Sequence, residues 1–380
     1  MSQRDSNDGS GYFLYHSIGL FPGKTERMAA ALTHVATLWG APDDAQWPRS
    51  LEIRNQFLQR WRHLIGAPAG TLTAAENVTT ALYSVIGALP DRYLAGRKLL
   101  IAADCFPSLH FLLSGMAERR GFELTTVAPR PGESWVRDED FMAHWGPDVG
   151  VALLTWVTST ASHRCSLRAL AEHGRAMGSL VGADITQGVG IVPFDLRALD
   201  LDFVVSSSLK WLCGVSGAGV LQVRERLLKE CQPELRGWFS QENVLSWGLD
   251  SFTFASDARR FDHGTPSILA CAACLPSLDW HAQQDLASLG AHNRRLAEAL
   301  IDGCTALGLQ VTSPVRADER GGSVMCRLPA TASPDAVVAA LRGQHVFTDA
   351  RGSTLRLSPG NVTTEVGVER LLRALRAALR

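Results

Sequence analysis

The middle of the chain, from about residue 46 to residue 276, alternates short β-branched runs with amphipathic helical stretches. This alternation constrains the fold more than any other feature, because it is typical of a mostly parallel β-sheet covered by helices. Helices that connect parallel strands make right-handed crossovers. The predicted strands are residues 98–102, 149–155, 179–183, 203–206 and 219–223, and the clearest helices are residues 77–89, 108–120 and 166–177.

After residue 276 the pattern changes to a long helix, from about residue 278 to residue 307, followed by short strands and further helices. A chain of 380 residues exceeds one typical core, so a second folding unit is expected. The sequence therefore predicts an α/β protein with a large domain at residues 46–276 and a smaller α+β domain at residues 277–380. Residues 1–45 are expected to join the smaller domain.

Charge and composition exclude several classes of partner. The net charge is −1 at pH 7, so no general electrostatic attraction draws the chain to nucleic acid or to an anionic membrane. The amino-terminal residues form no apolar signal segment and no apolar run reaches the length of a membrane span, which predicts a cytoplasmic location. The pair Cys271 and Cys274 lies in a helical pattern without a second ligand pair, so we interpret both as core residues and expect no metal.

Two residues at the ends of predicted strands suggest covalent chemistry. Lys210, one of only four lysines, follows a buried run and a serine triplet, and Asp184 ends the preceding apolar run. A lysine held out of bulk water has a lowered pKa and can attack an aldehyde. Pyridoxal phosphate needs such an amine and an acid for its ring nitrogen. The sequence predicts this cofactor, although Lys210 as a surface lysine and Asp184 as a helix cap remain alternatives.

Two further segments fit the same cofactor. The predicted helix start at Val78 and Thr79 offers backbone N–H groups to a phosphate, although an ordinary helix cap would look the same. Phe106 stands where the chain leaves another strand, and its ring could stack on a planar pyridine or simply fill the core.

Seven motifs occur in an order that resembles one known family. They lie at residues 13–22, 105–108, 199–212, 235–239, 261–269, 313–322 and 355–359. Together they resemble fold-type I pyridoxal phosphate enzymes of the class V aminotransferase superfamily, and within it the kynureninases. The resemblance extends from near Tyr12 to Arg380 and implies a homodimer with its active site at the subunit interface.

The resemblance also implies a role for individual positions. Lys210 is expected to hold the cofactor as a Schiff base and to act as the catalytic residue. Arg356 is expected to bind the substrate α-carboxylate, a role that suits a guanidinium fork, although an arginine on a surface edge strand is the alternative. Trp238 and Thr265 are expected to come from the neighbouring subunit. The cofactor-binding set is Val78, Thr79, Phe106, Thr155, Asp184, Gln187, Ser208, Lys210, Trp238 and Thr265, and the substrate-binding set is Arg356, Ser17 and Trp238.

Four positions depart from the kynureninase pattern. Leu209 stands where that family has Tyr, Leu109 where it has Asp, and Gln187 and Gln241 where it has His. The predicted function is a kynureninase-like hydrolase that cleaves the Cβ–Cγ bond of a kynurenine-type amino acid to an aromatic acid and alanine. The departures leave open a diverged lyase, a β/γ-substitution or C–C bond-forming enzyme, or an aminotransferase of a natural-product pathway.

Two other classes are less favoured. A cysteine desulfurase would carry a mobile cysteine near residues 346–357, and that segment has none. A regulatory protein that binds the cofactor without turnover would usually add a basic winged-helix domain, for which the sequence offers no candidate.

Overall fold

The computed structural model describes residues 8–380, which contain eleven α-helices and eleven β-strands. The predicted placement of residues 1–7 lies outside the described residues. The helices are α1 Lys24–Trp39, α2 Gln46–Ile65, α3 Val78–Ala88, α4 Pro107–Arg120, α5 Asp138–Ala143, α6 Leu167–Met177, α7 Glu225–Leu228, α8 Ile268–Ala282, α9 Leu286–Ala306, α10 Pro334–Arg342 and α11 Glu365–Ala378. The strands are β1 Leu72–Ala75, β2 Lys98–Ala102, β3 Glu123–Val127, β4 Val149–Thr155, β5 Leu180–Asp184, β6 Phe203–Ser207, β7 Gly219–Val223, β8 Gln310–Val311, β9 Val324–Arg327, β10 Asp349–Arg351 and β11 Thr354–Leu357.

A seven-stranded sheet forms the centre of the molecule, with strand order β1-β7-β6-β5-β4-β2-β3. Strands β6, β5, β4, β2 and β3 pair in parallel, whereas β7 pairs antiparallel with both of its neighbours. Helices α4, α5 and α6 connect β2 to β3, β3 to β4 and β4 to β5, whereas the connection from β5 to β6 contains only a short 3-10 turn. The predicted fold class is confirmed.

The two faces of this sheet are buried by different hydrophobic clusters. Along β4, Val151 and Leu153 belong to one cluster, while Ala152 and Leu154 belong to the other. Successive strand residues point to opposite faces, and here both faces are covered by helices. The continuous apolar runs in the sequence follow from this double burial.

A four-stranded antiparallel sheet, ordered β10-β11-β9-β8, forms the smaller α+β part. The opening segment joins it, since Tyr12 and Leu14 form parallel bridges with Phe347 and Ser358. The division at residues 45 and 276 stays a prediction. Pro276 itself lies within α8, which packs against α1 and α2.

The predicted single helix at residues 278–307 is wrong. Helix α8 ends at Ala282, and α9 begins at Leu286. The carboxylate of Asp285 accepts hydrogen bonds from the backbone N–H groups of Ala287 (3.1 Å) and Ser288 (3.2 Å), and this N-cap starts a new helix. Among residues 8–380, no helix has both the length and the apolarity to cross a bilayer.

Close packing between β5 and β6 yields a stability prediction. A Cβ atom at Gly182 would lie 2.0 Å from Cζ of the fully buried Phe203. We expect Gly182→Ala to lower the free energy of unfolding by about 1–3 kcal/mol, because the ring must move in a filled core. Gly115→Ala is the matched control, since nothing lies within 4 Å of its added Cβ in α4. Urea denaturation of both variants is the measurement, and equal midpoints would contradict the packing argument.

Candidate active site

The carboxyl ends of three neighbouring parallel strands place the predicted site residues together. Thr155 at the end of β4 pairs in register with Asp184 at the end of β5, and Asp184 pairs with Val205 of β6. The loop after β6 carries Lys210, whose carbonyl oxygen accepts a hydrogen bond from the Cys213 N–H (2.8 Å). This edge of an open parallel sheet is where ligands bind in α/β proteins.

The Lys210 amine is half-buried and lies 5.2 Å from the centroid of the Phe106 ring. Burial lowers the pKa of Lys210 to about 8, the charge of Asp184 opposes this effect, and the charge of Arg356 adds to it. An amine with this pKa is far more often neutral near physiological pH than an ordinary lysine. The alternative reading of Lys210 as a surface lysine does not fit this environment.

Asp184 is a buried carboxylate that forms no direct ion pair with an arginine, lysine or histidine in the part of the chain that the structure describes. Its Oδ1 accepts a hydrogen bond from the Thr186 N–H (2.9 Å). Burial raises the pKa of Asp184, while the Thr186 hydrogen bonds and the charge of Lys210 oppose that rise. A protonated ring nitrogen would provide the missing cation, so this residue fits pyridoxal phosphate.

The start of α3 keeps two backbone donors available for an anion. The Asn77 side chain accepts a hydrogen bond from the Thr80 N–H (3.0 Å), and the Thr80 hydroxyl accepts one from the Asn77 N–H (3.3 Å). This capping box confirms the reading of Asn77 as a helix cap. It uses neither the Val78 N–H nor the Thr79 N–H, so both can still serve a phosphate.

Two predicted cofactor residues are engaged elsewhere in the protein. The Ser208 hydroxyl is fully buried and accepts a hydrogen bond from Trp61 Nε1 (3.2 Å). Gln187 donates to the His16 carbonyl (3.1 Å) and accepts from Trp211 Nε1 (3.3 Å). Their predicted contacts with the cofactor remain predictions, and in the structure each of them also links two segments of the chain.

Thr155 is different, because its Oγ1 is buried and makes no hydrogen bond within residues 8–380. A buried hydroxyl without a partner is costly, and a ligand at this strand end would satisfy it. Thr155 therefore fits its predicted place beside the cofactor.

Arg356 is buried in β11 and is not a surface arginine. Its Nε donates to Asp349 Oδ1 (2.8 Å), and its Nη2 donates to Asp349 Oδ2. Neither Asp349 nor His16, whose Nε2 lies 3.0 Å from Asp349 Oδ1, was predicted from the sequence as a site residue. The available signal was Gly352, which permits a tight hairpin that sets residue 349 opposite residue 356.

The residues expected at a subunit interface lie at the surface. Thr265 is exposed, and Trp238 is half-buried with its ring near those of Phe239 and Trp247. Ser17 is exposed in the opening segment, next to His16 in the chain. The contribution of Trp238 and Thr265 to a neighbouring active site stays a prediction.

The opening segment packs directly on the lysine loop. The Gly19 N–H donates to the Leu209 carbonyl (2.9 Å), and a Cβ atom at Gly19 would lie 1.9 Å from the Lys210 carbonyl oxygen. The Tyr15 ring stacks on Trp211 with a centroid distance of 5.6 Å. The position of Lys210 therefore depends on a segment that lies far from it in the sequence.

Comparisons with known proteins agree with this geometry. A family model described as "Aminotransferase class-V" matches residues 49–374. Kynureninase of Deinococcus radiodurans is 27% identical over 328 residues, which cover 83% of this chain and 77% of that protein. Kynureninase of Xanthomonas oryzae pv. oryzae is 25% identical over 336 residues, which cover 83% and 78%.

Solved structures of more distant sequence share the fold. An apo cysteine desulfurase from Thermococcus onnurineus NA1 has a TM-score of 0.87 at 17% identity and covers 98% of this chain and 95% of its own. The cystine C–S lyase C-DES, in a variant with glycine covalently linked to its PLP cofactor, has a TM-score of 0.87 at 20% identity and covers 99% of both chains. At these identities the likeness concerns the fold alone.

The lowered pKa of Lys210 can be tested by its chemical reactivity. An amine reacts with an acylating ester only when deprotonated, so labelling of Lys210 in cofactor-free protein should reach half its maximum near pH 8. Lys98 is the internal control, because its hydrogen bond and ion pair with Asp148 raise its pKa. Peptide mass spectrometry across the pH range measures both sites. The same pH profile at the two lysines would contradict the desolvated setting of Lys210.

The contact between Gly19 and the lysine loop gives a second prediction for this site. Gly19→Ala forces the opening segment away from Lys210, which admits water and moves the Lys210 pKa up toward its ordinary value. We expect a loss of about 1–3 kcal/mol in the free energy of unfolding and a labelling midpoint above pH 8. Gly115→Ala serves again as control. A Gly19→Ala protein with an unchanged labelling profile would show that this contact does not set the environment of the lysine.

Proposed function

Because the chain belongs to the class V aminotransferase family and its cofactor is pyridoxal 5′-phosphate, we propose that it is a kynureninase-like hydrolase. Its proposed substrate is an α-amino acid with an aryl ketone at Cγ. Water adds to the γ-carbonyl, the Cβ–Cγ bond breaks, and the products are an aromatic acid and alanine. The main support for the proposal is the half-buried Lys210, whose amine lies beside the Phe106 ring. The charges of Asp184 and Arg356 both affect the pKa of this amine.

Each residue that would hold the cofactor has a suitable chemical group. Lys210 would supply the amine for covalent attachment, Asp184 would accept a hydrogen bond from the ring N–H, and Phe106 would offer an aromatic face. The N–H groups of Val78 and Thr79, at the positive end of α3, would bind the phosphate. When bound, pyridoxal phosphate supplies a ring that accepts negative charge from the substrate Cα.

Lys210 would be released when the substrate amine takes its place on the cofactor, and its free amine would then act as the general base. Its pKa of about 8 leaves a useful fraction of neutral amine near neutral pH, which can remove the Cα proton. Arg356 binds the α-carboxylate and fixes which bonds of Cα face the lysine. Ser17 and the partner-facing Trp238 are proposed to complete the substrate pocket.

After the Cβ–Cγ bond of the substrate breaks, Cβ needs a proton. A group other than the side chain of residue 209 must supply it. The Leu209 side chain has no proton to donate, and its backbone carbonyl accepts a hydrogen bond from the Gly19 N–H. Gln187, in place of His, has both ends of its amide bonded within the protein. We propose that protonated Lys210 or a water molecule delivers this proton.

The same proposal includes a cytoplasmic homodimer. Near Trp238, the segment at residues 235–249 exposes apolar side chains, and Trp247 and Leu249 keep 80% and 99% of their surface accessible. Contiguous exposed apolar residues mark protein contact sites. A second copy that covers this segment would bring Trp238 and Thr265 toward a neighbouring active site.

A second candidate function is a diverged lyase, a substitution or C–C bond-forming enzyme, or an aminotransferase that uses the same lysine and carboxylate clamp. The observation that favours it is Leu209, which removes the acid expected in a kynureninase. A desulfurase is not favoured, because seven of the eight cysteines are buried, and Cys165, the half-buried one, has its pKa raised by burial.

Direct assay of hydrolysis tests the leading proposal. Purified protein with pyridoxal phosphate should convert kynurenine or 3-hydroxykynurenine to equal amounts of aromatic acid and alanine, measured by chromatography. Lys210→Ala should lower the rate by about 10²–10⁴-fold or more, because it removes the general base. Lys98→Ala, at an exposed ion pair, is the control and should keep the parent rate. Absence of the aromatic acid would reject the hydrolase, and a keto acid as product would favour the second candidate.

A further inference from the structure

Arg356 presents only part of its guanidinium group to the protein. Its side edge, formed by Nε and Nη2, is bound by the two carboxylate oxygens of Asp349. These residues are direct partners across the β10–β11 hairpin, so the backbone itself sets their separation. Arg356 is buried and Asp349 is half-buried, which strengthens this pair relative to a surface ion pair.

The other edge of Arg356 has no protein acceptor. Nη1 makes no hydrogen bond to any residue in the range 8–380, and Nη2 has a second N–H beside it. A guanidinium group carries five N–H donors in a rigid plane, so one carboxylate on the side edge leaves a complete fork at the end. A second carboxylate can therefore bind end-on while Asp349 stays in place.

A chain of polar groups lies beside Asp349, and its first link is a close contact with His16 Nε2 that lacks hydrogen-bond geometry. His16 Nε2 lies 3.0 Å from Asp349 Oδ1, and His16 Nδ1 lies 2.7 Å from Ser358 Oγ. Ser358 Oγ lies 2.6 Å from Ser323 Oγ. Burial lowers the pKa of His16, so the ring is neutral near neutral pH and carries one N–H. A carboxylate beside Nε2 favours the N–H there, and Nδ1 then accepts from the Ser358 hydroxyl.

The charge on Asp349 follows from the same contacts. Burial alone would raise its pKa, but the close contact with His16 Nε2, together with the hydrogen bonds and the positive charge of Arg356, holds the pKa of Asp349 well below its ordinary value. Asp349 is thus ionised and offsets the charge of Arg356. The effect of Asp349 on substrate affinity can have either sign and can be measured. A carboxylate that only competed with the substrate for Arg356 would weaken substrate binding. A carboxylate that orients Arg356 would strengthen it.

We propose that Asp349 is a positioning residue that holds Arg356 by its side edge and thereby directs its end edge to the substrate carboxylate. His16 supports Asp349, and Ser358 supports His16. The geometry favours positioning over competition, because the two edges are separate and the end edge is already free. This inference rests on the proposed role of Arg356 in binding the α-carboxylate.

The test compares Asp349→Asn with Asp318→Asn in the cofactor-loaded protein. Asp318 is a matched control, since it also pairs with an arginine, Arg316, but at the exposed surface. The probes are L-alanine and L-alaninamide, which differ only in the carboxylate. Each is titrated while the absorption spectrum of the bound cofactor is recorded, which yields Kd without turnover.

We expect the parent protein to bind L-alanine more tightly than L-alaninamide. Asp349→Asn should raise the Kd of L-alanine by about 10-fold or more and leave the Kd of L-alaninamide unchanged, because only the carboxylate uses the Arg356 fork. Asp349→Glu should restore part of the loss, since it keeps the charge. Asp318→Asn should change neither Kd.

Several results would overturn the inference. The first is an Asp349→Asn protein that binds L-alanine as tightly as the parent or more tightly. The second is an equal rise in Kd for L-alanine and L-alaninamide. The third is a parent protein with the same Kd for both ligands. The proposed hydrolase activity has a separate test and is rejected when no aromatic acid forms from kynurenine. A protein that fails that assay but loses carboxylate preference in Asp349→Asn would still support the role of Asp349.

Discussion

The electrostatic interaction between Asp184 and Lys210, at the carboxyl edge of the central sheet, underlies the rest of the active site. Each group acts on the pKa of the other, and burial shifts both toward their neutral forms. The pairing of β4, β5 and β6 sets the strand ends that bring them together. An electron-accepting ring between an acid and an amine needs this placement, because one group must charge the ring nitrogen while the other bonds the aldehyde.

The site is assembled from parts of the chain that are distant in sequence. The opening segment contacts the lysine loop through Gly19 and supports Asp349 through His16. Gln187 joins the two, since its amide bonds to the His16 carbonyl and to Trp211, next to Lys210. A shift in any of these segments therefore moves the amine, the carboxylate clamp, or both. We therefore expect changes at positions 16, 19 and 187 to reach Lys210 and Arg356 through these contacts.

Features that depend on local sequence pattern and burial were predicted correctly from the sequence. Strands β2, β4 and β7 have their predicted bounds, because apolar runs buried on both faces are distinctive. Lys210 and Asp184 were identifiable because they interrupt such runs at strand ends. Strand β1 was not among the predicted strands, and the start of α9 was missed because one cap residue decided it. Asp349 was missed because its partner is set by hairpin register, which depends on the turn between two short strands.

Covalent trapping identifies the lysine that bonds pyridoxal phosphate. Reduction of the cofactor-loaded protein with borohydride converts an imine between a lysine and pyridoxal phosphate into a stable amine. Proteolysis and mass spectrometry then locate the modified residue among the four lysines of the chain. The account predicts one modified peptide, containing Lys210, and none in Lys210→Ala protein. A label on Lys24, Lys98 or Lys229 instead, or no label on the parent protein, would contradict it.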